Sequence, residues 1–198
     1  APTTAAPLPP PPPPETGVPG LDSDDVFCAA WSRYAGSFQV IAVASSFLVD
    51  DPRRAFEIEL AGSTTVVGAY ADLFAHWPTE LEPDRATAEQ VFGPFAARAA
   101  DTATVLEQAG AGADDLAALE AAWLAALANR NPESPDVELD LDGDLADLLR
   151  AAAETMYNTR GPLNRDPSLE TDLEPVLTYE YLARTCPDEG LLAGGDGT

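Results

Sequence analysis

The stretch that decides the fold lies at residues 114–129 and reads DDLAALEAAWLAALAN. Its large apolar side chains recur every three or four residues, and they are Leu116, Leu119, Trp123, Leu124 and Leu127. Apolar residues at this spacing lie on one face of an α-helix, so the stretch predicts an amphipathic helix with one buried face. The two aspartates at its start suit the positive end of the helix dipole.

The same spacing recurs along most of the chain. It predicts further helices at residues 24–49, 52–77, 83–109, 142–157 and 172–185. Short segments rich in proline and glycine separate these helices. Only residues 137–141 alternate apolar and polar side chains as a half-buried strand does. The sequence therefore predicts an all-α fold, a small bundle of five or six helices.

Local signals place several helix ends. Asp22 or Ser23 is predicted to cap the first helix, because a short side-chain oxygen can accept hydrogen bonds from free backbone amides. Pro52 suits the first turn of the second helix. The glycine–proline pair at 93–94 predicts a break or kink in the third helix, and the stretch 62–67 (GSTTVV) predicts a kink in the second.

Proline-rich and glycine-rich composition sets the two ends apart from the bundle. Residues 1–21 contain an unbroken run of prolines at 9–14, which predicts a disordered or polyproline II stalk. The run could also bind an aromatic groove, but such ligands usually carry flanking basic residues and none is present here. The predicted division is a stalk at 1–21, a helical domain at 22–188 and a flexible tail at 189–198.

The chain has two cysteines, Cys28 and Cys186, which bracket the predicted bundle. An even number of cysteines at these positions predicts one disulfide joining the first helix to the last. A redox or nucleophilic thiol is the alternative. It has little support, because there is no C-x-x-C motif and a cysteine nucleophile normally needs a histidine partner.

The charge balance restricts the partners of the chain. There are 34 acidic residues against 10 basic ones, a net charge of −24, and all the basic residues are arginine. Such a chain repels phosphate backbones and anionic lipid surfaces, so neither nucleic acid nor a membrane is an expected partner. No apolar run approaches the roughly 20 residues that a membrane-spanning helix needs. The acid excess is also compatible with adaptation to high salt.

The layout resembles that of the small exported helical proteins of high-GC Gram-positive (actinobacterial) bacteria. The similarity is carried by Phe27-Cys28 in the first helix and by the stretch from Tyr181 to Cys186-Pro187 at the end of the last. Alanine-rich helices and a start rich in proline and threonine add to it. The resemblance implies a secreted or cell-surface location and a disulfide. Most of these proteins have no assigned function, so it implies no activity.

Catalytic motifs are missing from the sequence. The single histidine, His76, is too few for a zinc protease motif or for the paired Glu-x-x-His motifs of a di-iron bundle. It is predicted to lie at a helix end or on the surface. We therefore expect a protein that is not an enzyme, with no catalytic residues and no resident cofactor.

One acidic segment is a candidate calcium site. Residues 136–144 read DVELDLDGD, and Asp140, Asp142 and Asp144 could supply carboxylates to a hard cation. Aligned with an EF-hand loop, however, the segment places Leu149 where the bidentate glutamate is required. A charged loop leading to an aspartate-capped helix is the alternative interpretation.

Large aromatic side chains offer a second candidate site. They are core residues in most helical bundles, but they could also line an apolar cavity that binds a small apolar or cationic ligand. The residues proposed to line such a cavity are Trp31, Tyr34, Phe74 and Trp123.

Three functions remain in view. The favoured one is a non-enzymatic exported helical domain that acts as a protein-interaction or accessory subunit at the cell surface, with a protein partner of unknown identity. The first alternative is a carrier of a small apolar or cationic ligand in the bundle core. The second is a calcium-dependent extracellular module.

Overall fold

The computed structural model describes residues 17–131, 134–160 and 171–186. Most of the predicted stalk and all of the predicted C-terminal tail lie outside these residues. The described elements are α1 (Val26–Phe47), α2 (Pro52–Ala75), a 3-10 helix (Thr79–Asp84), α3 (Arg85–Gln108), α4 (Ala113–Ala128), α5 (Gly143–Arg160) and α6 (Val176–Thr185). The predicted all-α bundle is confirmed. The described part of the chain contains no strand, and residues 137–141 run without regular secondary structure.

The helices begin at side chains that can satisfy free backbone amides. The predicted cap of α1 at Asp22 or Ser23 is wrong: the carboxylate of Asp25 accepts hydrogen bonds from the amides of Phe27 and Cys28, at 2.9 and 3.1 Å. Helix α2 begins as predicted, with Pro52 in its first turn and the preceding aspartate as its cap.

Two predicted interruptions do not break their helices. Helix α3 continues through Pro94, although proline cannot donate the hydrogen bond of that turn. Phe92 and Phe95 on either side are buried, and their packing holds the helix together across the defect. Helix α2 likewise continues through residues 62–67. Neither place therefore ends its helix, and the kinks predicted there stay predictions.

Helix α2 lies at the centre of the bundle and packs against α1, α3, α4 and α5. Gly62 permits the close approach of the neighbouring side chains. A β-carbon at this position would lie 2.7 Å from the ring of Trp123 on α4 and 3.1 Å from Ile41 on α1. The glycine therefore makes room for the tryptophan.

The segment before α1 lies against the end of α4. The amides of Gly17 and Val18 donate to the carbonyls of Arg130 and Leu127, at 2.8 and 2.9 Å, and Val18 is buried. Gly17 has φ +88°, and a β-carbon there would meet the carbonyl oxygen of Ala128 at 2.4 Å. Part of the predicted stalk, residues 17–21, is thus in contact with the bundle.

Helix α6 is short and is held at both ends. Its last residue is followed by Cys186, which is bonded to Cys28 of α1. Near its start, the buried carboxylate of Asp84 accepts hydrogen bonds from the amide and hydroxyl of Thr178, at 2.9 and 2.8 Å. A side chain from the 3-10 helix therefore caps a helix that is distant in sequence.

Two glycines of α2 should respond to alanine in opposite directions. Gly68 is exposed in mid-helix and a β-carbon there meets nothing within 4 Å, so Gly68→Ala should stabilise the protein by about 0.5–1 kcal/mol through helix propensity. Gly62→Ala gains the same propensity but meets the Trp123 ring, so it should destabilise. Urea unfolding of both variants measures the difference. Shifts of the same sign would contradict this account of Gly62.

Candidate functional site

The disulfide predicted from the sequence is present between Cys28 and Cys186. Their α-carbons lie 5.3 Å apart, and both residues are buried, 0% and 4% exposed. The bond joins residues 158 apart in sequence, so it closes almost the whole described bundle into one loop. Both thiols of the chain are used in it, and in this form neither can act as a nucleophile.

Most aromatic rings of the protein form one connected network. Its members are Phe27, Trp31, Tyr34, Phe38, Tyr70, Phe74, Trp77, Phe92, Phe95, Tyr179 and Tyr181. Three of the four predicted ligand residues belong to it: Trp31 contacts Tyr34 directly, and Tyr70 links Tyr34 to Phe74. Each of these three is therefore already engaged by neighbouring rings.

Tyr34 is the polar centre of this network. Its hydroxyl donates a hydrogen bond to the carbonyl oxygen of Phe92 at 2.6 Å, and the side chain is almost fully buried. Burial is the main cause that raises the pKa of Tyr34 well above its ordinary value, with smaller contributions from Tyr70 and Tyr179. The hydroxyl stays protonated at any physiological pH and joins α1 to α3 as a structural donor.

Trp123 lies apart from the network. Its ring packs over Gly62 of α2, and its indole Nε1 donates to the hydroxyl of Ser37 on α1 at 2.9 Å. Three of the four predicted ligand residues are thus joined by ring contacts, and within the described residues Trp123 makes no ring contact with them. Trp123 instead links three helices through packing and one buried hydrogen bond.

Trp77 differs from Trp123 in the hydrogen bonding of its indole nitrogen. It stacks on Phe74 with ring centroids 4.9 Å apart, but its buried Nε1 has no hydrogen-bond partner in the described structure.

Trp77→Phe removes this unpaired donor and should change stability by less than about 1 kcal/mol. Trp123→Phe removes packing at a fully buried site and leaves Ser37 without its donor, so it should cost about 2–3 kcal/mol. Chemical unfolding of the two variants measures their free energies of unfolding. Equal losses of stability would contradict the different roles given to the two tryptophans.

The three aspartates of the predicted calcium site do different things. The carboxylate of Asp142 accepts from the amide of Leu145 at 2.9 Å and starts α5, whereas Asp140 and Asp144 are exposed. Within residues 17–131, 134–160 and 171–186, no three His, Cys, Asp or Glu side chains are grouped so as to hold a metal ion. The structure shows the aspartate-capped helix of the alternative interpretation, and calcium binding by this segment stays a prediction.

His76 lies at the end of α2, where the sequence placed a helix end. Its ring is exposed, and Nδ1 lies 3.0 Å from the carbonyl oxygen of Asp72. The same carbonyl also accepts the backbone amide of His76 at 3.0 Å, so the ring adds a second contact at the end of the helix. The geometry fits a structural role for the histidine.

A buried ionic cluster was not predicted. Glu59 of α2 is 3% exposed and receives two hydrogen bonds from Arg98 of α3, at 2.9 and 2.8 Å. Thr102 donates to it at 3.1 Å, and Arg160 of α5 lies 3.4 Å away. The cluster ties three helices together. Sequence spacing could not indicate it, because Arg98 and Arg160 lie 39 and 101 residues from Glu59 along the chain.

The surface has a second feature that the helix pattern did not indicate. At the turn between α1 and α2, Phe47 and Val49 are 71% and 65% exposed, more than any other large apolar residue described. We call this pair the apolar corner. Leu48 between them packs against the core, so its neighbours point outward. They fall outside the periodic stripe of α1, which is the one signal in the sequence that could have found them.

Comparison with family models, with curated proteins and with solved structures gives no match to the chain. In addition, no described helix has both the length and the apolar character needed to cross a membrane.

Proposed function

We propose that the protein is a non-enzymatic helical domain that works outside the cytoplasm and binds another protein there, as an interaction or accessory subunit. The buried Cys28–Cys186 disulfide supports the location, since such bonds persist in oxidising compartments. The resemblance to exported actinobacterial proteins points the same way.

The observation that carries the binding function is the exposure of the apolar corner. Of the aromatic side chains that could have served an internal ligand, Trp31, Tyr34 and Phe74 are engaged by neighbouring rings and Trp123 by Gly62 and Ser37, so they support packing more than recognition. Phe47 and Val49 keep most of their surface in water, where apolar area favours association. Recognition at the surface, with no reaction at an internal site, is what this arrangement favours.

Site-specific photo-crosslinking in the cells that naturally produce the protein tests the proposal. A photoreactive phenylalanine is placed in turn at four exposed apolar positions, Phe47, Val67, Leu173 and Val176. We expect a discrete adduct with one protein at one position or at neighbouring positions, formed outside the cytoplasm. Export without any discrete adduct at any position would contradict the proposed binding function, and retention in the cytoplasm would contradict the location.

A further inference from the structure

We propose that the apolar corner and the carboxylates beside it bind a segment of a partner protein in which apolar side chains are flanked by lysine or arginine. This inference rests on the proposed function and adds the surface used and the chemistry of the partner.

Arg54 places an acidic segment at the same end of the bundle as the corner. Arg54 lies in the first turn of α2, five residues after Val49. Its guanidinium bonds to the carboxylate of Asp136 at 2.9 Å and to the carbonyl of Val137. Val137 is buried, and Leu139 packs against the core. The alternating residues Glu138 and Asp140 are therefore turned outward, and both are exposed.

The negative charge here is not neutralised. The two arginines of this end, Arg53 and Arg54, are already paired, the first with Glu154 and the second with Glu57 and Asp136. In the described part of the chain, no arginine pairs with Asp50, Glu138 or Asp140. We call these three carboxylates the acidic rim.

Two other carboxylates at this end of the bundle cap helices, unlike those of the acidic rim. Asp51 caps α2 through the amide of Arg54, and Asp142 caps α5 through the amide of Leu145. The members of the acidic rim make no such cap. They place unneutralised negative charge at the same end of the bundle as an exposed apolar pair, and this combination complements a segment that presents apolar and basic side chains together.

Charge also argues against two other occupants. A second copy of the chain would bring a further net charge of −24 and the same acidic rim to the interface. An anionic membrane surface would be repelled for the same reason. A basic, partly apolar protein segment can bury its apolar side chains on the apolar corner and pair its basic side chains with the acidic rim.

A defined probe tests the inference on the full chain. The probe is a fluorescent amphipathic peptide made of leucine and lysine, compared with the same peptide carrying glutamate in place of lysine. Fluorescence anisotropy at physiological ionic strength should show binding of the lysine peptide alone. Replacing both Phe47 and Val49 with serine should weaken it at least about tenfold, while Val176→Ser, an exposed apolar change on α6, should leave it within about twofold.

Matched charge variants separate the acidic rim from the general acidity of the chain. The triple change Asp50→Asn, Glu138→Gln and Asp140→Asn should weaken binding about tenfold. The control triple is Asp101→Asn, Glu107→Gln and Asp114→Asn, which removes the same charge from exposed positions of α3 and α4 and should have a much smaller effect.

Three results would overturn the inference. They are equal losses for the two triples, binding that does not depend on the apolar corner, and a dimer in light scattering that Phe47→Ser abolishes, which would make a second copy the occupant. Failure of this inference differs from failure of the proposed function. A partner crosslinked at another surface, with none at Phe47, would leave the proposed function standing and remove the corner from it.

Discussion

Reduction of the Cys28–Cys186 disulfide is expected to lower the Tm of the protein by roughly 10–20 °C. The bond joins residues 158 apart, and for a loop of this length the chain-entropy account gives about 5 kcal/mol of stabilisation. It acts mainly by restricting the unfolded chain. In the folded state it also fixes α6, whose Tyr179 and Tyr181 pack on the aromatic network. Thermal unfolding followed by circular dichroism, with and without a phosphine reductant, measures the effect.

The double variant Cys28→Ala, Cys186→Ala provides the control. It should unfold near the Tm of the reduced wild type, and the reductant should leave its Tm unchanged. Mass spectrometry confirms reduction of the wild type before the comparison. A reduced wild type that keeps its Tm would show that the bond contributes little to stability.

Replacement of Glu59 by alanine is expected to cost about 3–5 kcal/mol. The substitution leaves the guanidinium groups of Arg98 and Arg160, which are 21% and 35% exposed, without the buried carboxylate that they share. It also removes the acceptor of the buried Thr102 hydroxyl. Because these partners lie on α3 and α5, the loss should loosen both helices against α2. Urea unfolding measures the free energy, and hydrogen exchange shows which helices lose protection.

Glu57→Ala is the matched control on the same helix. Glu57 pairs with Arg54 at 2.8 Å, but both side chains keep part of their surface in water, 18% and 25% exposed. Pairs at the surface contribute little, so this change should cost less than about 1 kcal/mol. Comparable costs at the two positions would refute the importance assigned to the buried cluster.

The fold was predictable because its determinants are local. The three- and four-residue spacing of apolar side chains located α1 to α5, with ends that shifted by a few residues. The same spacing found α6, although Pro175 delays its start compared with the predicted 172. The disulfide followed from two cysteines at the two ends of the bundle. At Pro94 the sequence left a break or a kink open, and α3 runs through this position without a break, with buried phenylalanines on either side.

The buried polar contacts and the apolar corner were harder to predict because they are not encoded by local spacing. The Glu59 cluster and the Asp84–Thr178 cap join residues far apart in the chain. The contacts of Trp123 with Gly62 and Ser37 depend on which helix faces which, and the spacing of residues within a helix does not encode that. The apolar corner gives only the weak signal of two apolar residues that fall outside a stripe. A location outside the cytoplasm or at the cell surface stays a prediction. It is supported by the disulfide and by the resemblance to exported proteins.

The central claim is that a disulfide-closed, non-enzymatic bundle binds another protein. Native mass spectrometry of the protein purified from its own source, without reductant or chelator, tests this most directly. The account predicts a complex in which this chain, lighter by two hydrogen atoms than its dithiol form, carries a second protein. Three findings would contradict it: a free chain that still holds two thiols, a calcium-sized increment as the only addition, or a small organic molecule in place of a protein.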